Sequence, residues 1–161
     1  VAVVIGVIGA SVADGDLTAA AREVGRLVAV SGATLVCGGL GGVMAAACRG
    51  ASEAGGLTIG VLPGRERAAA NEWVAVAVPT GLGEARNTVV VSCADALIAV
   101  GGGYGTLSEI GFARAIGRPV IGYGTWRLER PGAPDDGIIE AASPAEAVAA
   151  ALREAHGRSS P

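Results

Sequence analysis

Val100-Gly101-Gly102-Gly103-Tyr104-Gly105-Thr106-Leu107-Ser108-Glu109 is the stretch that decides the fold. The apolar run 96–100 that leads into it reads as a buried strand, and the segment 106–116 that follows has the length and pattern of a helix. Strand, glycine loop and helix in succession are how a parallel sheet builds an anion site. The glycines let the backbone turn tightly with its N–H groups pointing inward, and the helix start adds unpaired donors at the positive end of its dipole. A phosphate group is the natural occupant. The loop has no lysine, so it is not a Walker phosphate loop, and its spacing does not give the dinucleotide fingerprint GxGxxG.

Working outward, the same alternation recurs. Residues 1–8 read as a first strand, followed by the turn Gly9-Ala10-Ser11 and a helix over 16–30 with Leu17, Ala20, Ala21, Val24, Leu27 and Val28 on one side. A short strand at 34–37 precedes a second glycine loop, Gly38-Gly39-Leu40-Gly41-Gly42, and a helix that starts at Val43-Met44 and runs to about 54. Strands are expected at 57–62 and 73–78, a helix at 84–93, and further strands at 120–123 and 138–139. Residues 125–137 read as a polar loop. Ser143-Pro144-Ala145-Glu146 is a capping box with proline at the first helical position, opening a final helix. The order implies an α/β fold, a doubly wound, mostly parallel sheet with helices on both faces and right-handed crossovers. Ligands in such sheets bind beyond the carboxyl ends of the strands, where the strand order reverses. Three loops, at 9–11, 38–42 and 101–105, are expected to face that crevice together.

With 161 residues the chain is expected to form one domain over 1–155, ending in a polar, disordered tail over 156–161. Its mean hydropathy of +0.52 is high, yet no apolar run approaches the roughly 18 to 20 residues of a membrane span. The hydrophobicity belongs to strands covered on both faces. No basic stretch precedes the first strand, so no signal peptide and a cytoplasmic setting are expected, although a chain starting at Val1 implies a terminus further upstream. The net charge of −3 argues against a nucleic-acid surface. All 12 basic residues are arginine, which removes Schiff-base chemistry, including any decarboxylase holding pyridoxal phosphate through a lysine. The one histidine, His156, lies in the tail, leaving neither a triad nor a histidine metal cluster. Cys37, Cys48 and Cys93 show no metal spacing and read as small buried apolar residues in a reducing compartment.

Arg86 and Glu109 frame the crevice in sequence, one at the start of the helix before the fifth strand and one in the first turn after it. A guanidinium offers fixed bidentate donors to a phosphate or a ring acceptor, and a carboxylate accepts from sugar hydroxyls or stabilises positive charge. A cation at a helix start opposes the dipole unless an anion lies nearby. Thr106-Leu107-Ser108-Glu109 also reads as a T-x-x-E capping box, so Glu109 has a structural reading beside the functional one. Ser11 is placed to donate to phosphate or to cap the first helix. Tyr104 is read as covering its loop, Asp95 as pairing locally, and Arg65 and Arg67 as either solvated or gating the crevice.

Arg86, with Gly102-Gly103-Tyr104-Gly105-Thr106 and Glu109, resembles the Lonely Guy (LOG) superfamily, whose signature is PGGxGTxxE with an upstream arginine. Gly9, Ser11, Gly38, Gly39, Gly42 and Met44 fall where that family has its nucleotide loops, so the likeness covers nearly the whole chain. It implies a Rossmann-like fold, a homodimer or higher homo-oligomer, and no cofactor or metal. It also implies hydrolysis of the N-glycosidic bond of a nucleoside 5′-monophosphate, with Arg86 and Glu109 as catalytic residues and water as nucleophile. The departures are Gly101 in place of proline, Asn87 in place of the usual lysine and Ser108 in place of an acidic residue. The segment Glu84-Ala85-Arg86-Asn87, with Gly42-Val43-Met44 and Gly105-Thr106-Leu107-Ser108-Glu109-Ile110, is similar to a short branch that includes molybdenum-cofactor carrier proteins, which implies the alternative of a non-enzymatic carrier or sensor for a phosphorylated pterin or nucleotide. Neither reading involves nucleic acid or a membrane.

Overall fold

The structure is a computed structural model that describes residues 1–134 and 137–158. Its strands are β1 (Val4–Gly9), β2 (Thr34–Cys37), β3 (Thr58–Leu62), β4 (Val76–Pro79), β5 (Ala96–Val100), β6 (Val120–Tyr123), β7 (Glu129–Arg130), β8 (Ala133–Pro134) and β9 (Ile138–Glu140). Strands β7 and β8 form a small antiparallel pair of their own, and the other seven build one sheet. The spatial order of that sheet is β4-β3-β2-β1-β5-β6-β9, and every neighbouring pair is parallel. Between the strands run α1 (Gly15–Val30), α2 (Val43–Glu53), α3 (Arg86–Cys93) and α4 (Tyr104–Ala115), with α5 (Pro144–Arg158) closing the chain.

Strand β5 shows why the sheet must be buried on both sides. All five of its residues are buried; Ala96, Ile98 and Val100 face one core cluster, and Leu97 and Ala99 face the other. Successive side chains of a strand point to opposite faces, so an unbroken apolar run needs helices on both. Val24 and Val28 of α1, Ala47 of α2 and Ala151 of α5 fill the first cluster, while Val90 and Val91 of α3 and Ile110 and Ala113 of α4 fill the second. Truncating the fully buried Ile98 to alanine is expected to cost about 2–5 kcal/mol.

The strand order positions the site. From β1 the sheet grows through β2, β3 and β4 in one direction, then resumes with β5 on the other side of β1. The loops leaving β1 and β5 therefore diverge, and the gap between them is the ligand crevice of an open α/β sheet. Because the strands are parallel, the loop at 38–42 opens on that same edge.

Several boundaries differ from the sequence reading. Strand β1 begins at Val4, with Val1 and Ala2 exposed. Residues 73–75 are not strand: the Asn71 side chain accepts from the Trp73 N–H at 3.1 Å, and the buried Thr58 hydroxyl donates to the Trp73 carbonyl at 2.7 Å and accepts from the Ala75 N–H at 2.8 Å. These local bonds give the chain a turn in place of a ladder. The segment 125–137 is not simply a loop, since it carries β7 and β8, while its residues 135 and 136 lie outside the described residues. The expected tail at 156–161 is helical as far as Arg158; residues 159–161 lie outside the described residues. At the start of α5 the Ser143 hydroxyl accepts from the Glu146 N–H at 3.2 Å, and Glu146 accepts from the Ala142 N–H at 2.9 Å. Among the described residues no helix is long and apolar enough to cross a membrane.

Candidate functional site

A cleft of about 370 Å³ opens at the carboxyl edge of the sheet beside β1 and β5, a size suited to a small-molecule ligand. Gly9 and Ser11 line it from the first loop, Gly38 and Met44 from the second, and Gly103, Tyr104, Gly105 and Thr106 from the third. Arg86 and Glu109 complete the set. Gly39, Gly42 and Gly102 are not part of the lining; they shape the loops behind it. Gly102 sits at φ +114°, where a Cβ would lie 2.4 Å from Thr106 Oγ1. Only glycine lets the backbone fold back over the first turn of α4 in this way.

The second loop is joined to the first through its backbone. The Val43 N–H at the start of α2 donates to the Ala10 carbonyl at 2.9 Å. Gly39 turns away from the cleft; its N–H donates to Cys37 Sγ at 3.3 Å, and its carbonyl accepts from Asn71 Nδ2 at 3.2 Å.

Arg86 is the first residue of α3 and follows a single 3₁₀ turn, Gly83–Ala85. It is only 8 % exposed. Its guanidinium lies against the bare α-carbon of Gly38: a Cβ there would stand 1.8 Å from Arg86 Nη1. Arg86 Nε is buried without a hydrogen-bond partner. Orphaned buried donors are uncommon, and a charged one is costly. An acceptor supplied by a ligand would remove that cost.

Glu109 faces the same cleft and is 8 % exposed. Its carboxyl is pushed up to about 7, mainly by burial; the Arg86 guanidinium pulls it down and the Glu84 carboxylate pushes it further up. Near neutral pH it therefore exchanges a proton readily. The capping-box reading of Glu109 does not hold. Helix α4 begins at Tyr104, with Gly103 as its N-cap and no side-chain cap, so Thr106 is the third helical residue and Glu109 belongs to the second turn. Freed from capping, the carboxyl is available to the cleft. Ser11 does not cap α1 either, because Asp14 accepts from the Leu17 N–H at 2.9 Å in that role.

Leu40, Glu84 and Asn87 also line the cleft without having been among the candidate binding residues. Asn87 follows Arg86 directly, and Glu84 precedes it by two; proximity in sequence was the signal. The larger omission is the segment after β6. Thr125 Oγ1 donates to the Gly101 carbonyl at 2.5 Å, and Trp126 Nε1 donates to the Gly103 carbonyl at 3.1 Å. A segment that reads as a polar loop thus anchors the third glycine loop. Gly101 has φ +57°, a conformation closed to the proline of the LOG signature.

Arg65 and Arg67 are both exposed and absent from the lining; Arg65 packs over Gly81. Asp95 pairs locally, accepting from the Val4 N–H at 2.9 Å. Cys37 and Cys48 are buried with their sulfurs 3.4 Å apart, whereas Cys93 is exposed, contrary to the expectation that all three are buried. The Cys48 contact and the Gly39 N–H hold the Cys37 thiol low, and the hydrogen bond with Cys37, followed by burial, raises Cys48. A groove of about 420 Å³ between α1 and α2 is comparable in size to the cleft. There, however, Arg22 is paired with Glu53 at 2.6 Å and Arg26 with Glu23 at 2.6 Å, so neither guanidinium is left without a partner. Among the described residues no group of three or more His, Cys, Asp or Glu is placed to hold a metal ion.

Residues 2–151 match the SLOG cluster4 family. The chain belongs to the SLOG cluster4 family. An uncharacterized protein of Archaeoglobus fulgidus is 47% identical to this SLOG chain over 116 residues, covering 72% of it and 76% of the relative. The molybdenum cofactor binding protein of the phototrophic bacterium Rippkaea orientalis has a similar structure, with a TM-score of 0.88 and 34% identity over 95% of this chain and 97% of its own. The molybdenum cofactor carrier protein of Chlamydomonas reinhardtii gives a TM-score of 0.85 and 35% identity over 96% and 98% of the two chains. The Rossmann-like SLOG architecture is thus shared from end to end with these structures.

Proposed function

We propose that this protein is a carrier that binds a phosphorylated pterin of the molybdenum-cofactor type. The phosphate lies on the glycine loops at 9–11, 38–42 and 101–105, and Arg86 supplies its charged donors. The observation that carries the reading is the buried Arg86, with one nitrogen unpartnered, in a cleft lined by the glycine loops and the start of α4, the kind of backbone that binds phosphate. Likeness to two proteins named for the molybdenum cofactor, at 34% and 35% identity, supports the choice of pterin. Equilibrium dialysis against the isolated cofactor tests it: saturable binding that is weakened at least tenfold by Arg86→Ala is expected, and equal binding by the variant would reject it. The family resemblance further supports a homodimer, for which sedimentation equilibrium would give twice the chain mass of 15.6 kDa.

A second reading rests on Glu109, whose carboxyl titrates near neutral pH in the same cleft as Arg86. Such a group suits an oxocarbenium-like centre and the ribose hydroxyls of a nucleoside 5′-monophosphate, with water as the nucleophile. Incubation with a panel of nucleoside monophosphates, followed by chromatography of free bases, separates the two readings. Binding without release supports the carrier. Release that Glu109→Gln abolishes, with phosphate binding intact, supports the hydrolase.

A further inference from the structure

We infer that Tyr104 is the stacking platform for the planar nitrogen heterocycle of the ligand, and that Trp126 is the positioning residue that holds this platform and its loop in place. The inference rests on the proposed phosphate site, because it places the ring relative to the phosphate. The chain has only five aromatic residues, two Trp, two Tyr and one Phe. Two of them meet at the mouth of the cleft, where the Tyr104 and Trp126 rings are 5.6 Å apart between centroids and tilted by 42°. Tyr104 lines the cleft and yet is 82 % exposed. A large ring left in water beside an indole keeps most of its surface available, and a flat heterocycle is the partner that a π-face recognises.

Trp126 is fixed where it stands. The Gly103 carbonyl accepts both the helical N–H of Leu107 at 3.0 Å and the indole N–H of Trp126 at 3.1 Å. On the other side of the loop, the Gly101 N–H donates to the Tyr123 carbonyl at 3.0 Å, and the Gly101 carbonyl accepts from Thr125. The residue that caps the helix, the phosphate-type loop and the aromatic platform are therefore tied to one short segment. A ligand with its phosphate on the glycine loops has an aromatic wall one residue beyond Gly103. The shared chemistry is a planar heterocycle joined to a phosphate, whether the ring is a pterin or a purine.

The experiment measures dissociation constants of the full chain for molybdopterin, adenosine 5′-monophosphate and ribose 5-phosphate, in wild type, Tyr104→Ala, Tyr104→Phe and Trp126→Phe. Loss of one ring stack is expected to weaken ring-bearing probes roughly 5- to 150-fold in Tyr104→Ala, leaving ribose 5-phosphate within twofold. Tyr104→Phe should match wild type. Trp126→Phe keeps a ring but loses the N–H bond to Gly103, so it should weaken all three probes and not the ring-bearing ones alone. In a Trp73→Phe background, Trp126 emission should change with the ring-bearing probes and not with ribose 5-phosphate. The two ring-bearing arms identify whether pterin or purine is preferred. Tyr104→Ala binding the ring-bearing probes like wild type, or losing ribose 5-phosphate equally, would overturn the stacking role. Wild type binding ribose 5-phosphate as tightly as both larger probes would do the same while leaving the phosphate site intact. Wild type binding none of the three would overturn both this inference and the reading it rests on.

Discussion

Replacing Glu109 by glutamine should make the protein more stable at alkaline pH and leave it unchanged in mild acid. The carboxyl titrates near 7 when folded, against 4.5 for an ordinary glutamate. Between these values the folded chain holds a proton that the unfolded chain has released, so stability falls as pH rises through the window. At 1.36 kcal/mol per pH unit, the folded state of the wild type has lost about 3 kcal/mol by pH 8.5. Below about pH 4.5 both states are protonated and the loss vanishes. A glutamine side chain in this place is close in shape to the protonated acid and does not ionise. The wild-type and variant stabilities should therefore meet near pH 4 and diverge to about 3 kcal/mol at pH 8.5, which is roughly 6 to 12 °C in melting temperature for a chain of this length. Urea unfolding followed by circular dichroism at half-unit pH steps reads this directly. Two parallel curves across the range, or a variant less stable than wild type at pH 8.5, would refute the assignment of a buried, poorly solvated carboxyl.

Other perturbations test separate parts of the site. Gly38→Ala places a methyl 1.8 Å from Arg86 Nη1; displacing the guanidinium should lower phosphate affinity at least tenfold in calorimetry and cost about 1–3 kcal/mol of stability. Thr125→Val removes the hydroxyl bond to the Gly101 carbonyl and should destabilise by about 1–2 kcal/mol in urea unfolding. Thr58→Val, remote from the cleft, strips both bonds of a buried hydroxyl; it should cost about 1–3 kcal/mol while leaving ligand affinity unchanged. A thiol reagent should modify Cys93 alone in the native protein and all three cysteines after denaturation, since Cys37 and Cys48 are buried.

The doubly wound sheet was legible because burial on both faces writes itself into β5 and its neighbours as unbroken apolar runs, and glycine marks where each strand must turn. The lining by Arg86 and Glu109 was legible for a related reason: in a parallel sheet every strand-to-helix loop opens on one edge, so sequence position alone puts both residues there. What escaped was set by distant contacts. That Glu109 is not a cap follows from α4 starting two residues early at Tyr104, which local propensity does not reveal. The anchoring of the third loop by Thr125 and Trp126 depends on β6 lying beside β5, a pairing no local pattern encodes. The turn at 73–75 likewise depends on the Thr58 hydroxyl, 15 residues from Trp73 in sequence.

The most direct test of the central claim is isothermal titration of the wild-type and Arg86→Ala proteins with molybdopterin at pH 7.5, with the recovered ligand analysed by chromatography. Saturable binding of intact ligand by the wild type, lost at least tenfold in Arg86→Ala, is the result expected of a phosphate site built on a buried guanidinium and glycine loops. Equal affinity in the two proteins, or no binding by either, would contradict it.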